Sequence, residues 1–294
     1  MITHAQRPGL ASAPAPVRWF AALRRLLGRA GLLLTLFCLL FPIYWLVQSS
    51  LSTQLELFHT PAYFFPPHPT LAGLREAWNV IGADLWHSVI ISVGTVILTL
   101  FLAITAGYGL LLARTRKTAT LVRLLVLFGL VFPTITFVIP LDKLLYTLGL
   151  LNTYQGLILA DSLYAVPLGV LIIYTYMLSI PHELIESAQV DGASSVKVLW
   201  SVVIPVAKPA VATAAIFAFL AAWGDYLFAE TFAGSPSVLP ASIGIYNLIG
   251  TSTTVVSWPE VMAGSLILGV PALLAVAFAQ RYVRAGISTG ALKG

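Results

Sequence analysis

"IESAQVDGASSVKVLWSVVIPVAKP", residues 185–209, interrupts a chain that is otherwise mostly apolar. It carries Glu186, Asp191, Gly192, Lys197 and Lys208, with Pro205 and Pro209 towards its end. Pro181, just upstream, suits the first position of a helix, where a missing N–H is no loss. Glu183 then falls in the first turn, where a carboxylate favours the helix dipole. "HELIESAQV" reads as helix as far as Asp191-Gly192, where glycine supplies the positive φ that ends a helix and turns the chain. Ser194 is placed to cap a second helix, "SSVKVLWSVV", which runs until Pro205 approaches. The stretch therefore encodes helix, sharp turn, helix. Ser187, Ala188, Gly192 and Ala193 are small enough to let another surface approach closely. Leu184, Ile185, Val196, Leu199 and Trp200 form an apolar face that must pack on something. Two readings stand at this point: a loop packed on its own protein, or an element that docks a partner.

What surrounds the stretch decides where it lies. The 294 residues are 59% hydrophobic and only 9% charged, with a mean hydropathy of +0.92. Soluble domains carry about 25% charged residues, so the deficit is too deep for a surface facing water. Apolar runs occur near residues 30–49, 86–113, 121–141, 156–179, 209–229 and 261–280. Each is about 20 residues or longer, the length that crosses about 30 Å of hydrocarbon as a helix. The fold class expected is an all-α membrane protein with six transmembrane helices, which puts both termini on one side.

The net charge of +5 then becomes a topology signal. Arg7, Arg18, Arg24, Arg25 and Arg29 precede the first run, and Arg114, Arg116, Lys117 and Arg123 follow the second. Lys197 and Lys208 lie between the fourth and fifth, and Arg281, Arg284 and Lys293 follow the sixth. That places 14 of the 16 Lys and Arg on one side, leaving Arg75 and Lys143 opposite. The basic side is the cytoplasm. Both termini and the 181–208 loop face it, and a nucleic-acid partner drops out. The division expected is a basic tail over 1–28, a six-span domain over 29–280 and a C-terminal tail over 281–294. The first run is read as a retained span, since no small-residue cleavage site follows it promptly.

The rest of the chain offers fewer signals. The first external loop, roughly 50–85, contains the proline-rich "HTPAYFFPPHPT"; in the last, 230–260, "LPASIGIYNLIG" reads as either a re-entrant segment or a short interfacial helix. Pro133, Pro140 and Pro167 lie within runs, as absorbed irregularities or as kinks along a translocation path. Asp161 and Asp225 lie in or beside apolar runs, where an ionisable group marks function or reaches headgroup water near a helix end. The second placement is expected for both. Cys38 is a lone packing residue. The five histidines are scattered, no nucleophile–base pairing emerges, and no G-x-x-x-x-G-K-[ST] phosphate loop is present. Neither a catalytic residue, a metal nor a cofactor is expected on this chain.

The 185–209 stretch resembles the cytoplasmic "EAA…G" loop of ATP-binding-cassette importer permeases. The matching residues are Glu186-Ser187-Ala188, Asp191-Gly192-Ala193, Ile204-Pro205 and Pro209, with Ser187 the one departure from the pattern. "FPTITFVIPL", "LGLLNTYQGLIL" and "AAWGDYLFA" are similar to the carbohydrate-importer branch, with Gly224 in place of its usual Asn. The ending "RYVRAGISTGALKG" resembles that of the maltose-type "G" permease. The likeness spans roughly residues 25–294. It implies a transport subunit without its own ATPase site, working with a second permease, two ATPase subunits that bind ATP and Mg, and an external substrate-binding protein. It further implies that residues 186–205 are coupling helices seated in an ATPase cleft, and that Gly290, Lys293 and Gly294 reach the same interface. The cargo implied is a sugar or oligosaccharide, with a glycerol phosphate or other polyol derivative as rival. Tyr164, Trp223 and Asp225 are candidates for the substrate path. An ion-coupled secondary transporter using Asp161 or Asp225 is the alternative from another class.

Overall fold

The computed structural model describes residues 15–113, 116–249 and 256–290, and every regular element within them is helical. The helices are α1 (Ala15–Ser50), α2 (Gln54–Leu57), α3 (Ala72–Leu111), α4 (Arg116–Val131), α5 (Val138–Leu148), α6 (Tyr154–Met177) and α7 (His182–Val190). They continue with α8 (Ser195–Val198), α9 (Ile204–Val206), α10 (Lys208–Trp223), α11 (Leu227–Phe232), α12 (Ala241–Leu248) and α13 (Trp258–Gly290). A single 3₁₀ turn, Thr134–Phe137, precedes α5, and a π turn, Leu199–Val203, joins α8 to α9.

Among the described residues, four helical stretches are long and apolar enough to cross a membrane unbroken: Leu23–Ser50, Ala72–Leu111, Tyr154–Met177 and Trp258–Gln280. Two bent helix pairs bring the number to six if each is counted as one span. Thr120–Val131 and Thr134–Leu148 meet at 103°, and Ser195–Val206 and Lys208–Trp223 at 82°. The third apolar run, read from sequence as one helix over 121–141, is thus broken at its middle. Pro133 has extended backbone and no N–H to donate, so the α4 ladder cannot pass through it. Pro167 has no such effect, and α6 runs through it. The fifth run, expected over 209–229, ends as helix at Trp223 and turns at Gly224. The second helix begins at Ala72, well inside the stretch assigned to the first external loop, so α3 is about 60 Å long and overshoots a bilayer.

The core is a three-helix contact of α3, α6 and α10 built from small residues. Ala210, Ala214, Ala218 and Ala222 make a buried stripe along α10 at four-residue spacing. On α3 the buried face includes Thr95, Thr99, Ala103 and Gly107, and on α6 Ala165 and Gly169. A Cβ on Gly169 would lie 3.2 Å from both Ala103 Cβ and Thr99 Cγ2, so the two helices close to the limit that glycine permits. In lipid, such close backbone approach is what drives helices together, since apolar burial alone gains nothing over acyl chains. The flanking helix α1 packs on α13 and leaves Leu26, Leu33, Phe37 and Leu40 exposed, a face suited to hydrocarbon.

Between α1 and α3 the chain is tied down by polar contacts. Thr53 and Glu56 form a capping box, and Glu56 pairs with His68 at 2.9 Å. The Thr53 amide and His68 together hold the Glu56 carboxyl below its usual range. Gln54 donates to the Val256 carbonyl and accepts from the Trp258 amide, both at 3.0 Å, pinning this segment to the start of α13. The short helix expected near "LPASIGIYNLIG" is present as α12, fastened to α3 by the Ala241 amide on Ser88 Oγ (2.9 Å).

Candidate functional site

Two places concentrate the residues singled out in the sequence: the α7–α9 knob and a cavity between α6 and the α10–α11 break.

The knob is a rigid turn with a defined hydrogen-bond pattern. Helix α7 begins one residue later than the sequence suggests, with Pro181 as its N-cap. It ends at Asp191, and Gly192 follows with φ +81°. The Ala193 amide donates to the Ala188 carbonyl (3.0 Å) and the Gly192 amide to the Gln189 carbonyl (3.0 Å), the paired bonds of a Schellman cap. Nothing would obstruct a Cβ at Gly192, so its positive φ is the reason for glycine there. Ser194 then caps α8 by accepting from the Lys197 amide at 3.4 Å. The helix does not stop short of Pro205, as expected from sequence, but continues to Val206. The widened π turn over Leu199–Val203 lets the Ile204 amide reach the Leu199 carbonyl, and proline enters just beyond that shifted register.

The apolar face of the knob divides in two. Ile185, Val198, Leu199 and Val203 are buried against α3 and α6, beside Tyr108, Ile173 and Met177. The Tyr108 hydroxyl donates to the Ser195 carbonyl at 3.1 Å, so α3 grips the turn directly. Leu184, Val196 and Trp200 remain exposed, the last at 64%. Glu186, Ser187, Asp191 and Pro205 are exposed, while Ala188, Ala193 and Ile204 are half-buried. Ser187 returns its hydroxyl to the Leu184 carbonyl (3.2 Å), so this polar departure is absorbed within its own helix. Gly290 is the last residue of α13, and Lys293 and Gly294 lie outside the described residues.

The second place is a cavity of about 380 Å³ lined by Thr134, Asp161, Tyr164, Gly224, Asp225 and Tyr226, among others. It adjoins an apolar cavity of about 250 Å³ walled by Phe128, Phe132 and Phe137, with Thr134, Tyr164 and Phe228 common to both. Asp225 sits in the break after α10 and accepts from the amides of Phe228 (3.4 Å) and Ala229 (2.9 Å), closing the N-terminus of α11. Asp161 lies two turns into α6 and is only 6% exposed. Its expected place in headgroup water is therefore corrected. Past the break at Gly224, α11 packs on α6, and Asp161 and Asp225 line the same cavity.

Of the three path candidates, Tyr164 and Asp225 line this cavity and Trp223 does not. Trp223 is 3% exposed, stacks with Phe219 and donates Nε1–H to the Leu268 carbonyl (3.0 Å), so it faces α13. Asp161, singled out in the sequence alongside Asp225, joins Tyr164 and Asp225 in this cavity, and Thr134 and Tyr226 are additions that the sequence does not announce. The only sequence signal was an acid in an apolar run, which names Asp161 but not its neighbours.

These features can be set beside known proteins. A family model described as "Binding-protein-dependent transport system inner membrane component" matches residues 99–288. The sulfoquinovosyl glycerol transport system permease protein SmoH of Agrobacterium fabrum is 31% identical over 298 residues, covering all of both chains. The trehalose transport system permease protein SugB of Mycobacterium tuberculosis is 30% identical over 87% of this chain and 93% of its own. A crystal structure of a bacterial ABC transporter that imports the acidic polysaccharide alginate has a chain with the same fold. It matches with a TM-score of 0.73 at 20% identity, over 93% of this chain and 99% of that one. With its multi-pass apolar helices and a family match over most of its length, the chain belongs to the inner-membrane permease components of binding-protein-dependent ABC transport systems.

Proposed function

We propose that this chain is one permease subunit of an ATP-driven importer for a sugar or oligosaccharide, with six spans and both termini in the cytoplasm. It pairs with a second permease to enclose the path, receives force from two ATPase subunits that bind ATP and Mg, and takes cargo from an external binding protein. The observation that carries this reading is the knob: a turn locked by two backbone bonds at Gly192, gripped by Tyr108, yet presenting Leu184, Val196 and Trp200 outward. A loop that merely packed on its own spans would bury those side chains. A lever that must deliver a rigid-body push needs one face fastened and one face free. Relatives named for trehalose and for sulfoquinovosyl glycerol support a carbohydrate cargo.

In this reading Glu186, Ser187, Ala188, Asp191, Gly192, Ala193, Ile204 and Pro205 form the coupling element, and Gly290, Lys293 and Gly294 add a contact to the same ATPase. Tyr164 and Asp225 face the path, whereas Trp223 supports it from behind. The test is cargo-stimulated ATP hydrolysis by the reconstituted transporter. Gly192→Pro and Glu186→Lys should each abolish the stimulation while the subunit remains in the membrane. Normal stimulation in both variants would refute the assignment of the knob.

A further inference from the structure

Arg123 is a charge without a carboxylate on a surface covered with leucine. It stands in the helical stretch Thr120–Val131 of α4 and is exposed. Around it Leu121, Leu124, Leu125 and Leu127 are exposed too, a surface suited to hydrocarbon rather than water. Its guanidinium lies over the ring of Tyr174 on α6, 5.7 Å from the centroid. Both residues line a cleft of about 160 Å³ between α3, α4 and α6, walled by Leu110, Val126, Val170 and Leu171. Thr175, also on its wall, donates its hydroxyl to the Leu171 carbonyl (2.6 Å), and no Asp or Glu lines the cleft. The one ion pair among the described residues is Glu56–His68, so no carboxylate answers Arg123. A guanidinium stays charged wherever it sits, and at the edge of hydrocarbon it needs an anion.

We propose that this cleft binds one anionic glycerophospholipid of the cytoplasmic leaflet, its phosphate on Arg123 and an acyl chain along the apolar wall. The choice of leaflet rests on the topology of the importer reading above; the binding chemistry does not. Charge complementarity favours a lipid. Arg114, Arg116, Lys117 and Arg123 fall close together around the start of α4, with no acidic residue among them. Such a cluster beside a span meets the negative surface of the cytoplasmic leaflet, and basic pockets between helices there take acidic headgroups. The guanidinium fork can give two parallel N–H bonds to a phosphate, and the Tyr174 ring beneath it leaves the fork free to do so. A carboxylate alone would answer the charge but not the apolar cleft; a phospholipid brings both parts in one molecule.

The test is native mass spectrometry of the complete transporter released from nanodiscs holding equal amounts of phosphatidylglycerol and phosphatidylcholine with matched chains. The wild type should retain phosphatidylglycerol several-fold over phosphatidylcholine. Arg123→Gln should lose one bound phosphatidylglycerol per complex and Arg123→Lys should keep part of it, all three eluting as the same complex from size exclusion. Equal retention of the two lipids by the wild type, or an unchanged count in Arg123→Gln, would overturn the site. Displacement of the lipid by inorganic phosphate would make it a site for a free anion instead. A zero-length cross-link from Arg123→Lys to a carboxylate of the second permease would assign the cleft to a protein contact and equally overturn the proposal. None of these outcomes depends on ATP hydrolysis, so the importer reading stands or falls separately.

Discussion

The Ala193 amide donates to the Ala188 carbonyl across the turn at Gly192, at 3.0 Å, and so fixes the angle between α7 and α8. Both partners are backbone groups, so the bond depends on conformation rather than side chains. Gly192 has φ +81° with open space around it. An L-residue there is strained by about 1 kcal/mol, and proline, held near −65°, cannot adopt the conformation at all. Gly192→Ala should therefore weaken coupling partly and Gly192→Pro should abolish it, read as cargo-stimulated ATP hydrolysis. Equal coupling in the two variants would mean that the angle of the turn does not matter.

The division of the knob into a fastened and a free face separates two kinds of variant. Ile185 is 6% exposed within the core formed with α3 and α6. Ile185→Ala should cost about 2–5 kcal/mol and lower the melting temperature of the purified subunit. Trp200→Ala removes a 64% exposed ring and should leave that temperature nearly unchanged, while lowering ATPase co-purification several-fold. A Trp200→Ala protein that binds its ATPase normally would place the docking surface elsewhere.

Glu186 projects from α7 into solvent. Glu186→Lys reverses a charge without touching the core, and exposed substitutions away from special features shift stability by no more than about 0.5 kcal/mol. The variant should insert and fold like the wild type, yet lose stimulated ATP hydrolysis. Loss of membrane insertion would instead mark Glu186 as structural.

Trp223 tests the reassignment made by the structure. Its indole donates to the Leu268 carbonyl and stacks on Phe219, away from the Asp161 cavity. Trp223→Phe should lose about 1 kcal/mol of stability and leave the choice among cargoes unchanged. A changed cargo preference would return Trp223 to the path.

The comparison of sequence with structure separates local signals from long-range ones. The turn at Asp191-Gly192, the cap at Ser194 and the short helix at 241–248 were legible because each is set by a few consecutive residues. The continuation of the helix through Pro205 was not, since it depends on a π turn that no single residue announces. Hydropathy runs concealed the 103° break at Pro133 and the end of α10 at Trp223, because an apolar window averages over a bend. The burial of Asp161 lay furthest out of reach. It depends on which helices pack around α6, a tertiary outcome that the local sequence does not record.

The most direct test of the central claim is uptake of a radiolabelled sugar held by the cognate external binding protein, in cells carrying the complete transporter, measured with ATP depleted and, separately, with a protonophore present. Uptake that stops on ATP depletion and survives the protonophore is the result predicted for a permease driven through its knob. Uptake that survives ATP depletion and collapses with the protonophore would contradict it and make the Asp161–Asp225 pair the coupling group of an ion-driven carrier.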